Sequence, residues 1–146
     1  MHRKEFIKTC GLACLGGVAL TSLLEGCATA NYFAQNSLTS NLITIRKNEF
    51  IKIGNDKQEN RKYVLVKTDR LNFPICVYRI GDENYSALPM ECTHKGCELQ
   101  PNGDYLICPC HGSEFSNAGI VRNPPAEENL KPFKTTTDNE NIYIQL

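Results

Sequence analysis

From Leu42 to the last residue, the chain is a succession of short β-forming runs, each closed by a turn signal. This spacing constrains the fold more than any other feature. Residues 42–45 (LITI) and 50–53 (FIKI) come first, the second run ending at Gly54-Asn55-Asp56. Residues 63–67, 75–79, 85–88, 105–108, 119–121, 133–136 and 142–146 complete the set. Short, evenly spaced strands with no useful helical repeat predict an antiparallel all-β sandwich or barrel. Pro101, Pro109, Pro124 and Pro125 are expected between strands, where no ladder bond is lost. Cys76, inside an apolar run, reads as a buried free thiol. Tyr78, Tyr85 and Tyr143 read as packing residues, and 138–141 as a turn before the last strand.

The rest of the 146 residues precedes this body. A charged start (Arg3, Lys4, Lys8) leads into an apolar run, 9–24, and then Leu24-Glu25-Gly26-Cys27. The run falls short of the roughly 20 residues of a membrane span, so 1–27 reads as an export signal. Residues 3–8 resemble a twin-arginine signal with lysine in the second place. Residues 24–27 resemble a lipobox, which would lipidate Cys27 and anchor the mature chain to a membrane from its N-terminus. Residues 28–41 are small and polar and are expected to form a flexible tether. With 16 basic and 16 acidic side chains and no long run of either, nucleic acid is not the expected partner. Export matters because an oxidising compartment preserves a disulfide.

Two boxes concentrate the chemistry. Cys92-Thr93-His94-Lys95-Gly96-Cys97 and Cys108-Pro109-Cys110-His111-Gly112-Ser113 lie ten residues apart. They hold four of the five cysteines beyond Cys27 and both histidines beyond His2. Cysteine and histidine two apart in a tight loop can face one centre. Cys108 and His111 suit a turn that Gly112 relieves. Two thiolates with two imidazoles suit either tetrahedral zinc or an iron–sulfur cluster of mixed ligation.

The pair C-T-H-x-G-C and C-P-C-H-G-S resembles the signature of Rieske iron–sulfur proteins of the disulfide-containing type, found in quinol-oxidising cytochrome complexes. The resemblance implies a Rieske-type antiparallel β-sandwich over 42–146, with a small cluster-binding subdomain at about 90–126. It implies one Rieske-type [2Fe–2S] cluster, with Cys92 and Cys108 on one iron and His94 and His111 on the other. It also implies a bridge between Cys97 and Cys110. Histidine ligation lowers the negative charge of the cluster, which places such centres at about −150 to +300 mV against about −400 mV for all-cysteine plant-type clusters.

Around the ligands, Ser113 matches a serine that donates to a bridging sulfide in the family. Phe115 stands where high-potential members carry a donating tyrosine, which implies an intermediate potential suited to menaquinol. Lys95 replaces a usually apolar residue and would favour an acidic protein partner. Asn123-Pro124-Pro125-Ala126 resembles the family's covering loop, with Pro124 stiffening it. The expected function is electron transfer, as the iron–sulfur subunit of a membrane quinol-oxidising complex passing electrons to a c-type cytochrome. The alternative is a lipid-tethered shuttle, or the small subunit of a molybdenum oxidase of the arsenite-oxidase type. No motif points to stand-alone turnover.

Overall fold

The structure, a computed structural model, describes residues 31–54 and 58–146. The expected export signal, Cys27 and the first part of the expected tether lie outside the described residues. Among the described residues no helix is long and apolar enough to cross a membrane.

The chain folds as the antiparallel all-β class that its spacing predicts. Strands β1 (Asn36–Thr39) and β2 (Leu42–Arg46) open it, followed by a 3-10 turn, Lys47–Phe50. Then come β3 (Ile51–Ile53), β4 (Gln58–Asn60), β5 (Tyr63–Val66), β6 (Ile75–Arg79) and β7 (Tyr85–Pro89). The second half holds β8 (Gln100–Asn102), β9 (Tyr105–Ile107), β10 (Glu114–Ser116), β11 (Val121–Asn123), β12 (Lys134–Thr137) and β13 (Asn141–Gln145). Three sheets matter most, ordered β1-β2-β13-β12, β5-β6-β7 and β11-β10-β9-β8. β3 and β4 form a separate hairpin.

The central sheet explains why YVLV and ICVY are apolar without a break. Side chains alternate between the faces of a strand, so a strand with one wet face alternates in polarity and one covered on both faces does not. Val64, Val66, Ile75, Val77 and Ala87 pack with Ile43, Ile45, Ile142 and Ile144 of the first sheet. Leu65, Cys76, Tyr78 and Leu88 face the other way and pack with Leu99, Leu106, Cys92, Cys108 and Phe115. The middle sheet is thus a shared wall between two cores, and the second core lies directly beneath the cysteine boxes.

Both edges of that sheet are covered. On the β5 side, Phe33 bridges Leu65, with Ala34 N donating to Leu65 O at 2.8 Å and Leu65 N donating to Tyr32 O at 2.9 Å. On the β7 side, Phe133 N donates to Ala87 O at 2.9 Å. Covering an edge removes a row of free ladder groups.

The expectation of a flexible tether therefore needs correction from residue 31 onward. β1 lies inside 28–41 and pairs with β2 from Asn36↔Ile45 to Thr39↔Leu42. Ala34 is buried, and Tyr32 Oη donates to Glu49 Oε2 at 2.7 Å beneath the Arg61 guanidinium, which sits 3.7 Å from the ring centre. An edge strand is held by its backbone and needs little apolar side chain, so NSLT carries no strand signal.

Smaller differences have the same kind of cause. Phe50 closes the 3-10 turn instead of opening a strand. The run expected at 119–121 is displaced to Val121–Asn123, because Gly119 sits in a turn with φ of 84°. β4, β8 and β10 are short or polar and were not expected. Pro101 lies within β8 instead of between strands, and β8 is an edge, where proline costs no ladder bond. Cys76 is a fully buried free thiol whose pKa burial pushes up. Asp138 accepts from Tyr143 Oη at 2.6 Å and from the backbone N–H groups of Asn141 and Glu140. These bonds, led by that of Tyr143, hold its carboxyl well below the usual carboxylate range and shape the turn into β13.

Candidate metal centre

The two boxes are the loops that leave β7 and β9, and they share one backbone design. In the first, Gly96 N donates to Cys92 O and Cys92 N donates to Cys97 O, both at 2.8 Å. In the second, Gly112 N donates to Cys108 O at 2.9 Å and Cys108 N donates to Ser113 O at 2.8 Å. Each loop needs a left-handed residue at its fifth position, and Gly96 and Gly112 adopt φ of 72° and 79° there. The hydrogen-bond frame is thus the same in both, while the side chains mounted on it differ. The first frame carries cysteine, histidine and cysteine at positions one, three and six. The second carries cysteine, cysteine and histidine at positions one, three and four.

Position one points inward in both loops. Cys92 and Cys108 are 2% exposed and belong to the second core. Burial lifts the Cys92 thiol above its ordinary pKa, opposed by a backbone hydrogen bond at His94 and reinforced by Cys108. The histidines meet outside them, with ring centres 5.0 Å apart and planes at 86°. His94 is half-buried and His111 is exposed. The remaining pair is joined as the resemblance implies: Cys97 and Cys110 form a disulfide across 6.6 Å between Cα atoms, which ties one loop to the other.

The sulfurs of Cys97, Cys108 and Cys110 lie within 4.8 Å of one another. That trio is not a metal site, because two of its members are spent in the bridge. The free donors are the thiols of Cys92 and Cys108 and the two imidazoles. One observation tests whether this set fits a metal cluster. Nδ1 of His94 is buried without a hydrogen-bond partner. A buried polar nitrogen with no partner costs about 1–3 kcal/mol, and coordination of a metal at that atom would offset the cost. The four donors fit a [2Fe–2S] group of mixed ligation, and two buried thiols that lose protons on binding would make loading a proton-releasing step.

A third loop, 123–128, lies across both boxes. Asn123 Nδ2 donates to Gly112 O at 3.0 Å, Ala126 N donates to Ser113 Oγ at 3.0 Å, and Thr93 Oγ1 donates to Glu128 O at 2.7 Å. Pro124 stands exposed between these anchors. Sequence reasoning found the loop but missed Thr93 and Asn123 as its ties, since threonine and asparagine bind backbone in any loop and their spacing carries no mark of it. Ser113 is fully buried, and accepting from Ala126 leaves its own proton for a second acceptor. Ser113→Ala removes the partner of a buried N–H and is expected to lower unfolding free energy by about 1–3 kcal/mol. Denaturant unfolding of both proteins in the cluster-free form measures it, and an unchanged midpoint would detach the loop from Ser113.

Phe115 is fully buried in the core beneath the boxes. Lys95 is exposed at the tip of the first loop.

The Rieske [2Fe–2S] domain model matches residues 49–134, more than half of the chain. The cytochrome b6-f complex iron-sulfur subunit of Prochlorococcus marinus is 34% identical over 67 residues, covering 44% of this chain and 36% of that protein. The ubiquinol-cytochrome c reductase iron-sulfur subunit of Rickettsia felis is 42% identical over 67 residues, covering 42% and 38%. The chain thus matches little more than a third of the length of these relatives. Among solved structures, the cyanobacterial plasma membrane Rieske protein PetC3 from Synechocystis PCC 6803 aligns with a TM-score of 0.51 and 30% identity, over 58% of this chain and 87% of that one. With the family model spanning the central sheet, both boxes and the loop across them, the chain belongs to the Rieske [2Fe–2S] domain family, whose cofactor is one [2Fe–2S] cluster.

Proposed function

We propose that Cys92 and Cys108 hold the inner iron of the cluster and His94 and His111 the outer iron, and that the chain passes single electrons within a membrane quinol-oxidising complex. The observation that carries this reading is the buried, partnerless Nδ1 of His94, whose ring stands 5.0 Å from a second imidazole on the loops that also carry two buried thiols. The bound cluster supplies one-electron oxidation and reduction.

The chain's own residues supply the rest. The twin loops and their disulfide fix the donors before the metal arrives, so little ordering is left for loading. The second core keeps water from the thiols. Nδ1 of His94 faces inward, which leaves Nε2 of the same ring for an outside partner. A quinol hydroxyl bonded at such a nitrogen can lose its proton as it loses an electron. Relatives named as subunits of cytochrome b6-f and ubiquinol-cytochrome c reductase complexes support a quinol-oxidising partner. The export signal and the lipobox-like Cys27 support a membrane-anchored chain on the outer face, delivering electrons to a c-type cytochrome.

A second reading, a lipid-tethered shuttle or the small subunit of a molybdenum oxidase of the arsenite-oxidase type, is favoured by the exposed charge of Lys95. Gentle detergent extraction of the native membrane separates the two. Co-purification with a cytochrome b supports the quinol complex, and co-purification with a molybdopterin subunit overturns it.

Phe115 sets the potential in this reading by what it lacks. A tyrosine hydroxyl that bonds a ligand sulfur more strongly in the reduced state by about 1.4 kcal/mol raises a one-electron midpoint by about 59 mV. Phe115→Tyr is therefore expected to raise the midpoint by tens of millivolts in an EPR-monitored titration. An unchanged midpoint in a folded, loaded variant would mean that Phe115 only packs.

A further inference from the structure

The disulfide and the ligands are closer than a tie between loops requires. Cys108 Sγ lies within 4.8 Å of both sulfurs of the Cys97–Cys110 bridge, and Cys108 carries a free thiol. Cys108 and Cys110 are two residues apart on one loop, while Cys97 reaches them from the other. Cys110 is exposed, Cys97 is half-buried and Cys108 is buried. A thiol poised beside a disulfide is the geometry of thiol–disulfide exchange.

We propose that these three cysteines form an intramolecular exchange site that the cluster keeps closed, an inference that rests on the assignment of Cys108 as a cluster ligand. With the cluster bound, the Cys108 sulfur is engaged and cannot attack. Once the cluster is lost, the Cys108 thiolate donates its electron pair to Cys97 Sγ, a Cys97–Cys108 bond forms and the Cys97–Cys110 bond breaks. Cys110 leaves as a thiolate and takes up the proton that Cys108 gave to solvent. One disulfide is consumed and one is made, so the step needs neither oxidant nor reductant.

The direction of attack follows from the loop. A bridge from Cys108 to Cys110 would close a small ring across Pro109, whose φ is fixed. A bridge from Cys108 to Cys97 again joins the two loops, and the leaving thiolate of Cys110 emerges into water. The product has lost a ligand to a disulfide, so it cannot accept a new cluster until Cys110 attacks Cys97 and reverses the step, or a reductant opens the bridge. Cluster loss thereby withdraws a ligand for as long as the Cys97–Cys108 bond lasts.

The test is peptide-resolved mass spectrometry of the full chain, which separates these cysteines from Cys10, Cys14, Cys27 and Cys76. The loaded protein is stripped anaerobically with an iron chelator, and aliquots are quenched over time with N-ethylmaleimide. The expected result is loss of the Cys97–Cys110 cross-link, matched by a rising Cys97–Cys108 cross-link and by label moving from Cys108 to Cys110. The loaded protein keeps the original bridge with Cys110 unlabelled. Persistence of Cys97–Cys110 with label on Cys108 and none on Cys97 or Cys110 would overturn the proposal, as would a new bridge that uses Cys92. The stripped Cys108→Ser variant is expected to keep its bridge, and label at Cys110 there would assign the reshuffling to another thiol. If the purified chain holds no iron and sulfide, the cofactor assignment fails, while the exchange is still read in that metal-free protein.

Discussion

Cys108→Ala yields a folded chain without iron or acid-labile sulfide, while Cys76→Ala retains both in full. The contrast separates two cysteines that are equally hidden from solvent. Both are free and buried in the same core, at 2% and 0% exposure. Cys76 sits in the middle of β6, between Leu65 and Leu88 in register, on a strand of the central sheet and not on either box loop. Cys108 opens the second loop, at the position that Cys92 takes in the first. Loss of one of the four proposed ligands would remove the charge and geometry that hold a cluster, so the expected effect is total and not graded. Iron and sulfide analysis with the visible spectrum measures it. Equal retention by both variants would remove Cys108 from the ligand set.

The bridge gives the second large effect. The pair Cys97→Ser/Cys110→Ser frees a closed loop with a sequence separation of 13 residues. In the chain-entropy model such a loop contributes about 3 kcal/mol. For a domain of this size that corresponds to a fall in Tm of roughly 10–20 °C. Calorimetry of the cluster-free forms isolates this term from the stabilisation that a bound cluster adds by mass action. In the loaded forms the two effects combine, because each loop then holds its ligands without the cross-tie. A Tm within a few degrees of the parent would mean that the twin hydrogen-bond frames fix the loops unaided.

The parts of the fold that were legible in the sequence are those whose side chains carry the signal. β6 is expected at residues 75–79 and found at Ile75–Arg79, because a strand buried on both faces is written as unbroken apolar sequence. β1, β4 and β8 were not legible, since NSLT, QEN and QPN are held by backbone pairing at sheet edges and their side chains stay largely in water. The site divides in the same way. Cysteine and histidine are rare enough that ten in-between residues do not obscure two boxes. That both boxes use one frame, with glycine at the fifth position, shows only in the hydrogen bonds. The ties of Thr93 and Asn123 across the loops are long-range pairings of common residues and have no local mark. The docking of residues 31–34 onto β5 escaped for a like reason: Tyr32, Glu49 and Arg61 are far apart in sequence and polar or half-polar in type.

Ligation of one iron by two imidazoles is the claim on which the rest depends, since it separates this centre from an all-cysteine cluster and from zinc. Pulsed EPR of the reduced full chain, grown with ¹⁵N-labelled histidine, reads it directly. Two strongly coupled imidazole nitrogens are expected, with one coupling lost in His94→Cys or His111→Cys wherever those variants load. A reduced cluster with no histidine coupling, or a diamagnetic chain that contains zinc, would contradict it.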